Sequence, residues 1–319
     1  MSNKAGLFLI VGLVIGGGIG FVYKNTAHQR QIDEILSQLS ELQAEHSALE
    51  SSYSTKVNAY NQLSIQKNKL QNDYDELLSR YKSLSEDISD LDNLLDSYSY
   101  TTESFSRVFN KQELEKIGSI VQDITNDEED TWYNYQKIWD YVNENIEYAY
   151  DIEIPLIGPY HYITIDGCTY YADFDIDKSQ NYVQTPEFTL NFKQGDCEDQ
   201  AILLYGMIKY YFRNIYGTVY NIYLTRMEFG NGDGHYAVFM PVKNGNICIL
   251  DPAGNYATLR HGSLTQKTAS LELTEYNKIW SEEGYISKIE IYWVDDVDGS
   301  YSVEAEGDLD TIINFFEKR

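Results

Sequence analysis

Apolar side chains recur through residues 32–98 with a seven-residue period that never slips. With Ile32 as an a position, the a series runs Ile32, Leu39, His46, Tyr53, Tyr60, Lys67, Tyr74, Tyr81, Ile88, Leu95. The d series runs Ile35, Leu42, Leu49, Lys56, Leu63, Leu70, Leu77, Leu84, Leu91, Tyr98. Nine of the ten d residues are apolar or aromatic, and the intervening positions are mostly Ser, Gln, Asn, Asp and Glu. Uninterrupted by Gly or Pro, this pattern predicts a coiled coil about 100 Å long. His46, Lys56 and Lys67 in the seam weaken it and can fix register and strand number. An isolated helix would leave the Leu stripe wet, so the pattern requires a second copy or another protein.

Ahead of the heptads, residues 5–23 carry no charge. As a helix they would span about 28 Å, close to the hydrocarbon thickness of a bilayer. A cleaved leader is the rival, but the stretch is long for one and Asn25-Thr26-Ala27 is a poor cleavage site. The pattern therefore predicts a retained single-pass anchor. Chains anchored at one end in one bilayer would pair in parallel. Lys4 before the span and Lys24 and Arg30 after it barely discriminate sidedness. The short head before a long acidic domain points to an extracytoplasmic globular part.

Beyond Tyr98 the period changes. Helices are predicted at residues 111–124, 132–146, 197–212, 273–283 and 309–317, and strands at 219–229, 235–240, 246–250 and 286–294. Asp166-Gly167 between strands at 160–165 and 168–176 is a hairpin signal. The run after Cys197 is apolar nearly throughout and predicts a buried helix. A buried helix followed by antiparallel strands reads as an α+β domain. The resulting organisation is an anchor at 1–24, a stalk at 25–99 and a globular domain at 100–319.

Composition narrows the function. The chain has 24 Lys+Arg against 50 Asp+Glu, a net charge of −26. Such a surface argues against a nucleic-acid partner, because no basic field exists to displace phosphate counterions. The acids are scattered, which favours solubility over an acidic binding patch. Three cysteines cannot build a disulfide framework, and whether Cys168 and Cys248 pair is left open. There is no CxxC or HExxH. Asp173, Asp175 and Asp177 have a calcium-loop rhythm, but Lys178 and Gln184 stand where such a loop needs Gly and Glu. No metal and no cofactor are expected.

Candidate chemistry gathers at three places. Gly195-Asp196 predicts a turn and an N-cap, which puts Cys197 in the first turn of its helix. Free N–H groups and the helix dipole there favour a thiolate and can face an oxyanion. Asp196, Glu198 and Asp199 would serve the helix N-terminus. His235 opens a strand and Asp251 closes the next, giving the order thiol, base, carboxylate. If the hairpin is centred on Lys243, His235 and Asp251 are direct cross-strand neighbours. A two-residue turn at Asn244-Gly245 would instead set Asp251 opposite Val238 and His235 on the other face. Pro241 argues for the wider loop. Gln184, Gln194 and Trp132 are candidate oxyanion side chains.

The segments GDCEDQAILLYGMIKYYF, GHYAVFMPV and ILDPAG resemble the three core motifs of the transglutaminase-like superfamily, and KIWDYVNENIEYAYD resembles the helix before that core. The likeness covers residues 130–260. It implies a papain-like α+β core with Cys197 as nucleophile, His235 as base and Asp251 as the residue orienting it. Ala237 and Ala253 depart from the aromatic and the Thr that members often carry; neither removes a catalytic group. The resemblance implies hydrolysis or transamidation of a protein or peptide through an acyl-enzyme. The alternative is a coiled-coil scaffold whose globular domain binds peptides without catalysis.

Overall fold

The computed structural model describes residues 26–99, 101–125, 130–179, 181–261, 263–265 and 267–319. The apolar stretch at 5–23 lies outside them, and among the described residues no helix is long and apolar enough to cross a membrane. The chain divides into two units after Arg80.

Helix α1, Thr26–Ser99, runs for 74 residues. Its sequence has no Gly or Pro to break it. In the first unit its seam is bare: Leu49 is 70%, Leu63 64% and Leu70 71% exposed. From Tyr81 onward the same helix packs within the second unit, where Ile88 is buried.

The globular unit continues with α2 (Thr101–Val108), α3 (Lys111–Ile124) and α4 (Thr131–Asn145). Asn110 caps α3 by accepting the Glu113 N–H at 2.9 Å, and Asp130 caps α4 by accepting the Trp132 N–H at 2.9 Å. Strand β1 (Glu147–Tyr148) follows, then the hairpin β2 (Ile154–Ile165) and β3 (Cys168–Ser179). Its turn is Asp166-Gly167, both at positive φ, as the sequence predicts. The Ser85 hydroxyl of α1 accepts the Tyr171 N–H at 3.5 Å. Asp173, Asp175 and Asp177 lie exposed along β3, not in a loop.

Next come α5 (Pro186–Phe192), β4 (Gln194–Gly195) and α6 (Cys197–Tyr210), which passes into a π-helical turn. Then follow β5 (Tyr223–Phe229), β6 (Gly234–Val242), β7 (Asn246–Asp251), β8 (Tyr256–Ala257), and the short pair β9 (Leu259–Arg260) and β10 (Ser263–Leu264). Helix α7 (Ala269–Ile279), strands β11 (Ile286–Val294) and β12 (Tyr301–Gly307), and helix α8 (Leu309–Glu317) complete the unit. The predicted helix at 273–283 thus starts four residues early. Thr268 caps it by accepting the Leu271 N–H, and Gly284 and Tyr285 at positive φ follow its end. Strand β12 is an edge strand of alternating polar residues that the apolar pattern does not mark.

Six strands form one antiparallel sheet in the order β12-β11-β5-β6-β7-β8. Both faces are covered along its middle strands β6 and β7, whose successive residues are buried on both sides. Val238, Met240, Cys248 and Leu250 pack with α3, α4 and α6 through Ile117, Val142 and Leu203. Phe239, Ile247 and Ile249 pack with α7 and α8 through Tyr276, Ile312 and Phe316. Helix α6 is buried along Cys197–Lys209; its apolar run Ala201–Ile208 accounts for the middle, while Glu198, Asp199, Gln200 and Lys209 are buried polar groups at its ends.

Candidate active site

Parallel pairing of β1 with β4 sets Tyr148 beside Gly195 and delivers the chain into α6. Gly195 fits where a Cβ would lie 2.7 Å from the Asp199 Cβ. Asp196 takes the N-cap backbone position but makes no side-chain cap bond. Cys197 is the first residue of α6 and is 8% exposed. Its Sγ lies 3.4 Å from Glu198 Oε2 and 4.0 Å from the Gly234 carbonyl oxygen, and it receives the backbone N–H of Tyr236.

The surroundings of the thiol correct one expectation. Burial first, then the carboxylates of Glu198 and Asp196, push the Cys197 thiol well above its ordinary value. The helix N-terminus does not prevail over burial beside these two acids. Burial, reinforced by Glu198, likewise raises Asp196 to about 9, and burial with Asp196 raises Asp151 to about 7. Asp199 accepts the Gln184 N–H at 2.7 Å through Oδ1. Among the described residues, Asp196 Oδ1, Glu198 Oε1 and Asp199 Oδ2 are buried without a partner. Asp151, Asp196 and Asp199 bring oxygens within 4.8 Å of one another, and Asp196 and Glu198 bring oxygens equally close to one another and to Cys197 Sγ. These are the groups that could hold a cation.

His235 and Asp251 meet. His235 Nε2 lies 2.9 Å from Asp251 Oδ2, and both residues are buried. A carboxylate only accepts, so Nε2 carries the hydrogen and Nδ1 is left for another partner. The strand register that achieves this is neither of the two expected. Val238 pairs with Leu250 and Val242 with Asn246, across a three-residue turn Lys243–Gly245 in which Asn244 and Gly245 have positive φ. Pro241 therefore lies in the ladder, opposite Ile247, not in the loop. The shift from the register centred on Lys243 is two residues. An even shift preserves the face, so His235 and Asp251 are diagonal neighbours on one side of the sheet.

Sequence reasoning did not reach the groups that hold this pair. The Tyr276 hydroxyl donates to Asp251 Oδ2 at 2.7 Å and the Gly254 N–H to Oδ1 at 2.8 Å. A Cβ at Gly254 would sit 2.1 Å from Asp251 Oδ2. The Trp280 ring lies 4.4 Å from the His235 ring and stacks on Phe229 at 4.9 Å. Tyr276 and Trp280 fall outside the motifs; their only mark is helical i, i+4 spacing.

Cys197 and His235 both line one cavity of about 930 Å³, together with Tyr148, Arg226, Glu198 and Trp280. Arg226 is held by Glu228 at 2.8 Å and Glu290 at 3.1 Å. None of the three expected oxyanion side chains lines it: Gln194 bonds Glu147, Gln184 accepts from Thr189, and Trp132 packs edge-on against Tyr135. All three cysteines are free; Cys168 is exposed and Cys248 buried.

A family described as transglutaminase-like domain matches residues 113–292, more than half of the chain. The chain belongs to that transglutaminase-like family. A UPF0252 protein of Archaeoglobus fulgidus is 30% identical over 146 residues, covering 45% of this chain. The match spans 41% of that relative's length. Among solved structures, a candidate cysteine protease from Cytophaga hutchinsonii has a TM-score of 0.27 at 18% identity, over 46% of this chain and 40% of its own. Legionella pneumophila LapG has a TM-score of 0.29 at 14% identity, over 58% of this chain and 99% of its own. The transglutaminase-like match contains Cys197, His235, Asp251, Tyr276 and Trp280.

Proposed function

We propose that this chain is a thiol acyl-transfer enzyme acting on a peptide or amide. The observation that carries the reading is the 2.9 Å His235–Asp251 contact beside a cavity that Cys197 also lines. Cys197 Sγ attacks the acyl carbon while His235 Nδ1 takes its proton. Collapse of the tetrahedral adduct breaks the C–N bond, and His235 returns the proton to the leaving amine. Water then attacks the thioester to give an acid, or a second amine attacks to give a new amide; His235 takes the attacking group's proton and restores it to Sγ. Asp251 orients the imidazole. The backbone N–H of Cys197, at the start of α6, faces the developing oxyanion. Because the thiol is buried among acids, it holds its proton until attack, and proton transfer accompanies that step.

The test uses hydroxylamine as the acyl acceptor with a pool of glutamine-containing peptides. Formation of hydroxamate that is lost in Cys197→Ser and His235→Ala supports the reading. No hydroxamate and no acylated Cys197 peptide under any condition sinks it. Serine preserves volume but is a far weaker nucleophile at this site, so the loss should exceed about a thousandfold.

The acid collar favours one competing reading, a peptide-binding domain with an idle thiol on a coiled-coil scaffold. Iodoacetamide separates the two: an active site alkylates Cys197 in a His235-dependent way, whereas an idle one does not.

Residues 5–23 are assigned as a retained membrane anchor, residues 30–98 as a parallel dimeric coiled coil, and the globular unit as extracytoplasmic. The exposed Leu seam supports the pairing. Sedimentation of the chain lacking residues 1–24 should give a dimer at tens of micromolar, and a monomer overturns the assignment. Deleting those residues should also release the chain from membranes.

A further inference from the structure

The carboxylate that orients His235 is shared. Asp251 Oδ2 accepts from His235 Nε2 at 2.9 Å and from the Tyr276 hydroxyl at 2.7 Å, while Oδ1 takes the Gly254 N–H. Tyr276 is fully buried on α7, with its ring edge-on to Phe239 at 6.0 Å and Trp280 at 6.2 Å. One turn further on, at the C-cap of α7, Trp280 packs against the imidazole with ring centroids 4.4 Å apart. A single helix face therefore touches the carboxylate through Tyr276 and the ring through Trp280. Neither residue belongs to the segments carrying the thiol, the imidazole or the carboxylate.

We propose that Tyr276 is a positioning residue that competes with His235 for Asp251 Oδ2 and so sets how strongly the carboxylate draws the Cys197 proton onto the imidazole. This rests on the acyl-transfer reading and deepens it.

The physics is a matter of shared charge. Each donor to an anionic oxygen withdraws part of its field from the other. With the phenol in place, Oδ2 fixes the ring orientation yet offers His235 less than its full charge. Burial and the neighbouring Asp251 both resist ionisation of the phenol, so it remains a donor. Without the hydroxyl, the whole charge would face Nε2, imidazolium would gain, and the proton of Cys197 would move across more readily. The titratable groups around the imidazole are Asp251, Tyr276, Cys197, Glu198, Asp233 and Glu283. Of these, Tyr276 alone donates to the oxygen that His235 uses.

The sign of this effect separates it from a structural role. Loss of a purely structural tyrosine would loosen the site and slow the chemistry of its thiol. Loss of a competing donor should instead speed alkylation, because more thiolate is present.

The experiment alkylates the full chain with iodoacetamide at pH 7 and follows the Cys197 peptide by mass spectrometry. Exposed Cys168 serves as the internal reference. In Tyr276→Phe the Cys197 rate should rise about threefold relative to Cys168, and in His235→Ala it should fall at least tenfold. Site-specific 3-fluorotyrosine at position 276, a stronger donor, should lower the rate. It also carries the test should Tyr276→Phe not fold, as judged by circular dichroism. Slow alkylation in His235→Ala with an unchanged or reduced rate in Tyr276→Phe overturns the role of Tyr276 alone. An unchanged rate in His235→Ala overturns the thiol–imidazole reading itself, and the role of Tyr276 with it. A fluorotyrosine rate equal to or above that of the unmodified chain also overturns the proposal.

Discussion

Asp251 stands at the imidazole end of the proposed site and Asp196 at its thiol end, and the fold treats the two carboxylates in opposite ways. Asp251 is fully buried and receives three donors, from His235, Tyr276 and Gly254. Asp196 leaves Oδ1 without a partner, as does Glu198 its Oε1 and Asp199 its Oδ2. The difference arises from what stands nearby. Asp251 ends a strand facing α7, which supplies a phenol, and its own turn supplies an N–H. Asp196 enters α6 among acids, with Glu198 and Asp199 next in the chain. A buried carboxylate with donors can act as an anion, whereas one among other carboxylates is held by its proton. The imidazole side of the cavity is thereby set up to stabilise charge, and the thiol side to resist it.

The strongest way to break this contrast is to remove the satisfied carboxylate. Asp251→Ala would leave the Tyr276 hydroxyl, the Gly254 N–H and the His235 ring without their acceptor. A stability loss of about 3–5 kcal/mol is expected, measured by denaturant unfolding. Asp251→Asn keeps an acceptor but not the charge. It should fold nearly normally and lose about a hundredfold in hydroxamate formation, less than Cys197→Ser. Equal stability of Asp251→Ala and the parent chain would show that the three donors find water instead.

On the thiol side the effects are smaller and of the other sign. Glu198→Gln removes the carboxylate 3.4 Å from Sγ. The Cys197 alkylation profile should then move about one pH unit lower, raising the rate near neutrality up to tenfold. An unmoved profile would mean that burial alone holds the proton.

Stability against pH tests the collar as a whole. Asp151 and Asp196 have folded values raised to about 7 and about 9, mainly by burial, from an ordinary 3.8. An acid raised in this way binds its proton more tightly when folded. Its stabilising effect is complete below the ordinary value and is lost as pH rises through the folded one. The melting temperature should therefore fall between pH 5 and 9. Asp196→Asn should flatten the upper part of that fall by a few degrees, the smallest of these effects. A melting curve that rises over the same window contradicts the collar.

Local chemistry determined much of this protein. The seven-residue seam fixes a long helix because nothing in residues 26–99 can break it. Asp166-Gly167 fixes a hairpin turn because both residues tolerate positive φ. The apolar run after Cys197 fixes a buried helix, and the motif order brings thiol, imidazole and carboxylate into view. Register escaped local reading, because Asn244-Gly245 was compatible with several turns and only the packing of both sheet faces selects among them. Tertiary structure alone also decided the state of the thiol. A helix N-terminus favours thiolate in isolation, but desolvation and the acids Glu198 and Asp196 outweigh a dipole acting through one turn. It likewise decided what holds Asp251, since Tyr276 lies 25 residues further along the chain and meets that carboxylate only when α7 closes over the sheet.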